Sequence, residues 1–165
     1  MQIPVVSNST PLIFLAKIGK LNLLEKIFKT IYIPNEVYQE VVIKGKEKGY
    51  SDSFLVENYV NKKIIVIKDT EIKKLTQMPI GKGEQESIEL AMKLDIQDIL
   101  MDDGKGRKIA RLYNLQPKGT IWVLSKGFEL DLISKEDLKN SIMELIKCGF
   151  RIREEILVEI LKDLI

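Results

Sequence analysis

Five oxygen-bearing side chains stand where apolar runs give way to helical or turn patterns. They are Asn8, Glu40, Glu84 and the adjacent pair Asp102-Asp103. Asn8 follows the β-branched run from Ile3 to Val6, and Asp102-Asp103 follows Ile99 to Met101. In open parallel sheets, ligands bind beyond the carboxyl ends of the strands. If these two strands are central neighbours, the amide and both aspartates face one crevice. Oxygen-only donors of this kind suit a hard cation such as Mg²⁺ or Mn²⁺. Like charges gathered closely need a cation or a proton to coexist.

Each residue also has a plain structural reading. Glu84 opens a helix after Gly81-Lys82-Gly83, where a carboxylate favours the positive end of the macrodipole. The glycines there lack the spacing of a phosphate loop and read as a close approach that positions Glu84. Asp102-Asp103 can form a turn and cap the next helix. Glu40 can be a solvated helix residue and Asn8 a turn former. Thr120 can cap its own helix or bond a water near the acids. Lys105, Arg107, Lys108 and Arg111 share one helix, either as a phosphate-gripping edge or as a solvated face opposite Ile109, Leu112 and Tyr113. Trp122 reads as core rather than as a base-stacking platform.

The composition removes other chemistries. The chain has 165 residues and no histidine, which excludes Ser-His-Asp and Cys-His catalysis and imidazole zinc sites. Cys148 is the only cysteine, so disulfide frameworks and thiolate clusters are excluded, and its apolar neighbours predict a core or half-buried thiol. With 26 basic and 24 acidic residues the net charge is +2, so any nucleic-acid contact must come from a local patch. No apolar stretch reaches the ~18 residues of a membrane span, and the N-terminus lacks the features of a signal peptide. The expected location is the cytoplasm.

The elements that must position these residues alternate in type. After the first strand, Ser9 and Thr10 are N-cap types and Pro11 suits the first helical position. Apolar residues then recur at helical spacing from Leu12 to Ile27, broken by Gly19 into two helices. Ile31–Ile33 is a strand, and Pro34 opens a helix through Glu40 and Val41. Lys44 to Asp52 is rich in Gly and Lys and predicts a loop. Next come a helix over Phe54 to Tyr59, a strand over Ile64 to Ile67 and an amphipathic helix over Glu84 to Lys93. Helix periodicity returns from Lys105 to Tyr113 and after Gly119. Ser134 with Asp137 predicts a capping box for a helix reaching Ile146, and a last helix spans Glu154 to Leu164. The expectation is one α/β domain over 1–165, with a central parallel sheet flanked by helices and a helical C-terminal tail from about residue 135.

Five segments together have a familiar look. VVSNSTPLIFLAKIGKLNLLEKIF, IYIPNEVYQEVV, GKGEQESIELA, ILMDDGKGRKIARLYNL with a downstream KGT, and CGFRIREEIL resemble the DUF3368 branch of the PIN-domain superfamily. The resemblance implies a Mg²⁺- or Mn²⁺-dependent ribonuclease, often the toxin half of a type II toxin–antitoxin pair with a small UPF0175-type antitoxin. It also makes a homodimer plausible. Carried across, the family's acids fall at Asn8, Glu40, Glu84 and the Asp102-Asp103 pair, with Asp103 as the usual ligand and Asp102 as its support. Thr120 matches a hydroxyl near the metal. The departure is Asn8, where most such nucleases carry aspartate. An amide oxygen still ligates but brings no charge and cannot act as a base. The rival reading is therefore a degenerate module that binds RNA or a protein partner. A phospho-acceptor receiver domain fails on the order of its acids, and a dinucleotide-binding fold fails for want of a Gly-x-Gly-x-x-Gly after a strand.

Overall fold

The computed structural model describes residues 2–70 and 77–164. Among these residues five parallel strands form one sheet in the order β3-β2-β1-β4-β5. They are β1 (Val5–Ser7), β2 (Ile31–Ile33), β3 (Ile65–Ile67), β4 (Asp98–Leu100) and β5 (Gln116–Lys118). The chain walks outward from β1 through β2 to β3, then returns to the other side of β1 with β4 and β5. The direction reverses between β1 and β4, whose register pairs Ser7 with Leu100. The two strands that lead into Asn8 and Asp102 are thus central neighbours, and the switch point lies between them.

Successive residues of the strands point to opposite faces, and each face has its own core. Val5, Ile31, Ile33 and Leu100 join one cluster with α1 (Ser9–Lys17), α2 (Asn22–Ile27), α5 (Ser51–Asn61), α8 (Thr120–Glu129) and α9 (Lys135–Lys147). Val6, Ile99 and Met101 join the other with α6 (Lys82–Lys93) and α7 (Gly104–Leu112). The helical C-terminal tail packs onto the first cluster, to which Leu138, Ile142 and Leu145 of α9 and Ile160 of α10 (Glu154–Leu164) belong. No helix among the described residues is long and apolar enough to cross a membrane.

Several local expectations change. The first helix starts with Asn8 as N-cap, so Ser9 and Thr10 are already helical and Pro11 stands inside the first turn. Proline is tolerated there because the first amides have no intrahelical acceptor. The predicted loop from Lys44 begins instead with α4 (Lys44–Glu47), and Asp52 lies within α5. Gly45 serves close packing there, since a Cβ on it would fall 1.8 Å from the buried Ser53 Oγ. Cys148 is exposed, not buried. It sits at the C-cap of α9, and Gly149 at φ +89° turns the chain away before the inward face can continue. Leu112 is 80% exposed, so the apolar face of α7 rests on Ala110 and the partly covered Ile109 and Tyr113.

Candidate metal-assisted active site

Two central strand ends bring the first components together. The backbone N–H of Asn8 donates to Leu100 O at 2.9 Å, and that of Met101 donates to Lys118 O at 2.9 Å. Asn8 and Asp102 therefore leave the sheet side by side. Asn8 is 4% exposed, and its side chain makes no capping hydrogen bond to α1. The next residue, Ser9, is also buried, and its hydroxyl donates to Glu40 Oε2.

Glu40 comes from an unusual stretch. Helix α3 (Asn35–Tyr38) leaves β2 and widens into a π-helical turn over Gln39–Ile43 before α4. Such wide turns concentrate at functional sites because they re-aim side chains within a helix. Val37, Val41 and Val42 stay buried, which fixes the roll of this segment. The Glu40 carboxylate rests against Gly83, where a Cβ would lie 2.8 Å from Oε1 and 3.1 Å from Oε2. The close approach read from the Gly-Lys-Gly sequence is real, but the residue it admits is Glu40. At Gly81 a Cβ would stand 3.7 Å from Glu84 Oε2, ordinary contact.

Glu84 stands in the first turn of α6 and accepts the Gly81 N–H at 3.1 Å. Its helix-terminal role is thus present. Burial pushes its carboxyl above the usual carboxylate range, the Asp103 and Glu40 charges push the same way, and the Gly81 N–H opposes them. Two further acids thus act on Glu84, giving it like-charged company.

The aspartate pair divides its work. Asp103 is the exposed N-cap of α7 and accepts the Gly106 N–H at 2.7 Å. Asp102 turns inward to the N-terminus of α8. Its Oδ1 accepts the Thr120 N–H at 2.7 Å, and its Oδ2 accepts the Thr120 hydroxyl at 2.6 Å. Burial raises the Asp102 carboxyl above its ordinary range, against the Thr120 bonds and the Arg107 charge. Thr120 is fully buried and serves this aspartate directly.

The four basic residues of α7 separate. Lys105, Lys108 and Arg111 are exposed, whereas Arg107 is half-buried and donates to Met101 O at 3.2 Å. Burial lowers the Arg107 guanidinium's affinity for its proton, as do Arg111 and Arg153, while Asp102 works in the opposite sense. Gly119 makes room for both side chains: a Cβ there would lie 2.8 Å from Asp102 Oδ1 and 3.1 Å from Arg107 Nη1.

Sequence alone does not mark Ser9, Gly83 and Gly119 as supports of the acids. Ser9 reads there only as a helix start, and its partner lies 31 positions away. Among the described residues, no group of three or more acidic side chains is drawn together tightly enough to hold an ion. Glu40 and Asp103 act on Glu84, whereas Asp102 stands by itself on Thr120.

A family model described as DUF3368, PIN domain, matches residues 4–165 of the chain. Neither a curated protein nor a solved structure matches it.

Proposed function

Because the chain belongs to the DUF3368 family of PIN domains, we propose that it is a metal-dependent endoribonuclease acting at the β1–β4 switch point. Family membership implies nuclease-type chemistry, RNA binding and the general use of divalent ions. The observation that carries the reading is the Glu40 carboxylate, which rests against Gly83 (2.8 Å from the place of a Cβ) and so stands beside Glu84, the next residue of α6.

The donor chemistry fits a hard cation. Every side chain concerned offers oxygen, and the mutual repulsion of the acids is relieved by positive charge. Glu40, Glu84 and Asp103 would hold Mg²⁺ or Mn²⁺, with the Asn8 amide oxygen as a neutral donor. Asp102 contributes charge and orientation. When bound, the cation supplies charge neutralisation at the phosphate and acidifies the attacking water.

The rest of the work belongs to the chain. Ser9 and Gly83 fix the Glu40 carboxylate in one place, which spares reorganisation when substrate arrives. Thr120 holds both Asp102 oxygens, so that carboxylate keeps a single orientation. Arg107, which flanks Gly119 together with Asp102, would offer a positive group to a phosphate, and the exposed Lys105, Lys108 and Arg111 would give the RNA strand a basic edge to follow. Asn8 lowers the charge of the set, so a cation should be held more weakly than by carboxylates alone.

The test is cleavage of a mixed RNA panel with Mn²⁺, with Mg²⁺ and with EDTA, comparing the natural protein with Asp103→Ala. Metal-dependent cleavage that disappears in the variant is expected. Full activity in Asp103→Ala would remove the assignment.

Asn8 and the split arrangement of the acids favour a second reading, a degenerate module that binds RNA or a protein partner without cutting. An inert natural protein that gains activity with Asn8→Asp would establish it. A toxin role with a small UPF0175-type antitoxin rests on the sequence resemblance, and growth arrest relieved by co-expressing a neighbouring small reading frame would test it. Homodimerisation rests on the same ground and is read by light scattering.

A further inference from the structure

The segment between α9 and α10 stands across from the amino half of α8 and bounds a cavity of about 390 Å³. Two anchors hold it there. Phe150 meets Phe14 of α1 edge to face, with ring centroids 5.0 Å apart, and Ile152 packs against the larger core cluster. The inner walls include Trp122 and Phe150, while Arg107, Arg151 and Arg153 bring positive charge from two distant parts of the chain. Asp102 lines the same cavity, whereas Asn8, Glu40, Glu84 and Asp103 do not, so the cavity adjoins the proposed centre on its Asp102 side. Glu159 is an acidic group on its α10 wall. Among the described residues none of the three arginines forms an ion pair.

Apolar walls, aromatic edges and unpaired guanidinium groups form the combination that accepts an unstacked base together with its phosphate. A duplex keeps its bases stacked and has nothing to insert into such a space. We infer that this cavity seats one nucleotide of single-stranded RNA next to Asp102, its phosphate facing Arg107 and Arg153 and its base lying against Trp122 and Phe150. The inference rests on the ribonuclease reading and adds the C-terminal segment to the substrate site. The sequence CGFRIREEIL then has a purpose: its aromatic residue anchors the wall and its arginines face the substrate.

Trp122 is the only tryptophan and lines this cavity, so a ligand seated there changes the surroundings of the sole indole. Phe28 stacks on it at 6.1 Å and the Lys118 ammonium lies 5.0 Å from the ring centre, which holds the indole in place. The experiment titrates a short unstructured RNA into the full chain in EDTA, following Trp122 emission and the anisotropy of a dye on the RNA. Both signals should saturate together. Arg153→Gln changes an exposed residue outside the helices, so the fold should persist. Affinity should fall about tenfold, as for loss of one charge-assisted contact, and the salt dependence should flatten by about one phosphate contact. Lys139→Gln, on the exposed side of α9, should change neither.

Anisotropy that rises while Trp122 stays silent, with Arg153→Gln binding normally, would overturn the inference. So would a Trp122 response to polyglutamate and not to RNA, which would give the cavity to an acidic protein segment. Because EDTA removes cleavage from the experiment, tight binding in the cavity without cutting in Mn²⁺ would sink the ribonuclease reading and leave this one standing.

Discussion

Gly83 leaves open the space that the Glu40 carboxylate fills: a methyl group on it would stand 2.8 Å from Oε1. The two residues lie on different helices, one reached from β2 and the other leading into β4. The atom in the way is the tip of a flexible side chain, so a substitution displaces the carboxylate before it disturbs the backbone.

Gly83→Ala should therefore separate stability from activity. Alanine gains about 1 kcal/mol of helix propensity, which offsets the crowding. Urea denaturation should shift little, while RNA cleavage falls at least about tenfold, the effect of a misplaced group on a barrier raised by ~1.4 kcal/mol. Unchanged cleavage would mean that the position of Glu40 does not matter.

Glu84→Gln should be more stable than the natural protein at neutral pH without metal. The Glu84 carboxyl titrates higher in the folded than in the unfolded chain. Its ionisation therefore costs stability as pH rises from the ordinary value, ~4.3, through the raised folded value. Glutamine keeps an acceptor for Gly81 and removes the charge. The difference should vanish at low pH and reach on the order of 0.5 kcal/mol above that window, since the site opens to screening solvent. At tenfold excess of Mn²⁺ over its dissociation constant, the natural protein should gain about 1.4 kcal/mol and the order should reverse.

Thr120→Val keeps the shape of a fully buried side chain and deletes the hydroxyl that donates to Asp102 at 2.6 Å. The expected loss is about 1.5–3 kcal/mol, the range for a hydrogen bond to a charged group. Thr120→Ser should recover most of it. Denaturant midpoints for the three proteins decide the matter, and equal midpoints would show that the contact carries no stability.

Asn8→Asp places a carboxylate at a 4% exposed position, one residue from the serine that holds Glu40. Without metal the protein should lose about 1–3 kcal/mol, the cost of a buried polar group left uncompensated. Calorimetric titration with Mn²⁺ should show tighter binding than in the natural protein. Weaker binding would place Asn8 outside the donor set.

The architecture was legible where pattern and packing agree. Val5-Val6, Ile31–Ile33 and Ile99-Leu100 are buried strands and read as apolar runs, so the alternation of strands with helices pointed to the parallel sheet. Strand β5 carried no such signal, because Gln116, Pro117 and Lys118 lie at the sheet edge and need no apolar run. Helix α4 was hidden because Gly45, which admits Ser53, has the look of loop composition.

The candidate acids are legible from their places after strands, at a helix start and on the helix that leaves β2, whereas their supports are not. Ser9 beside Glu40 and Arg107 beside Gly119 are contacts made by the folded sheet, with no spacing in the chain to betray them. Asp102 and Asp103 look equivalent in sequence. Only the tertiary structure turns one toward Thr120 and leaves the other in solvent.

The wide turn at Gln39–Ile43 bears on how this chain can vary in length. A π turn carries one residue more than an α turn, so deleting one residue there would give a more regular rod. Everything before the cut would then swing by about 100° relative to the remainder of the helix, at 3.6 residues per turn. Val37 and Val42 could no longer both face the core while Glu40 faced Gly83. The shortened chain would have the better helix and an empty place at Gly83, which makes the extra residue a spacer retained for the site at the expense of helical regularity.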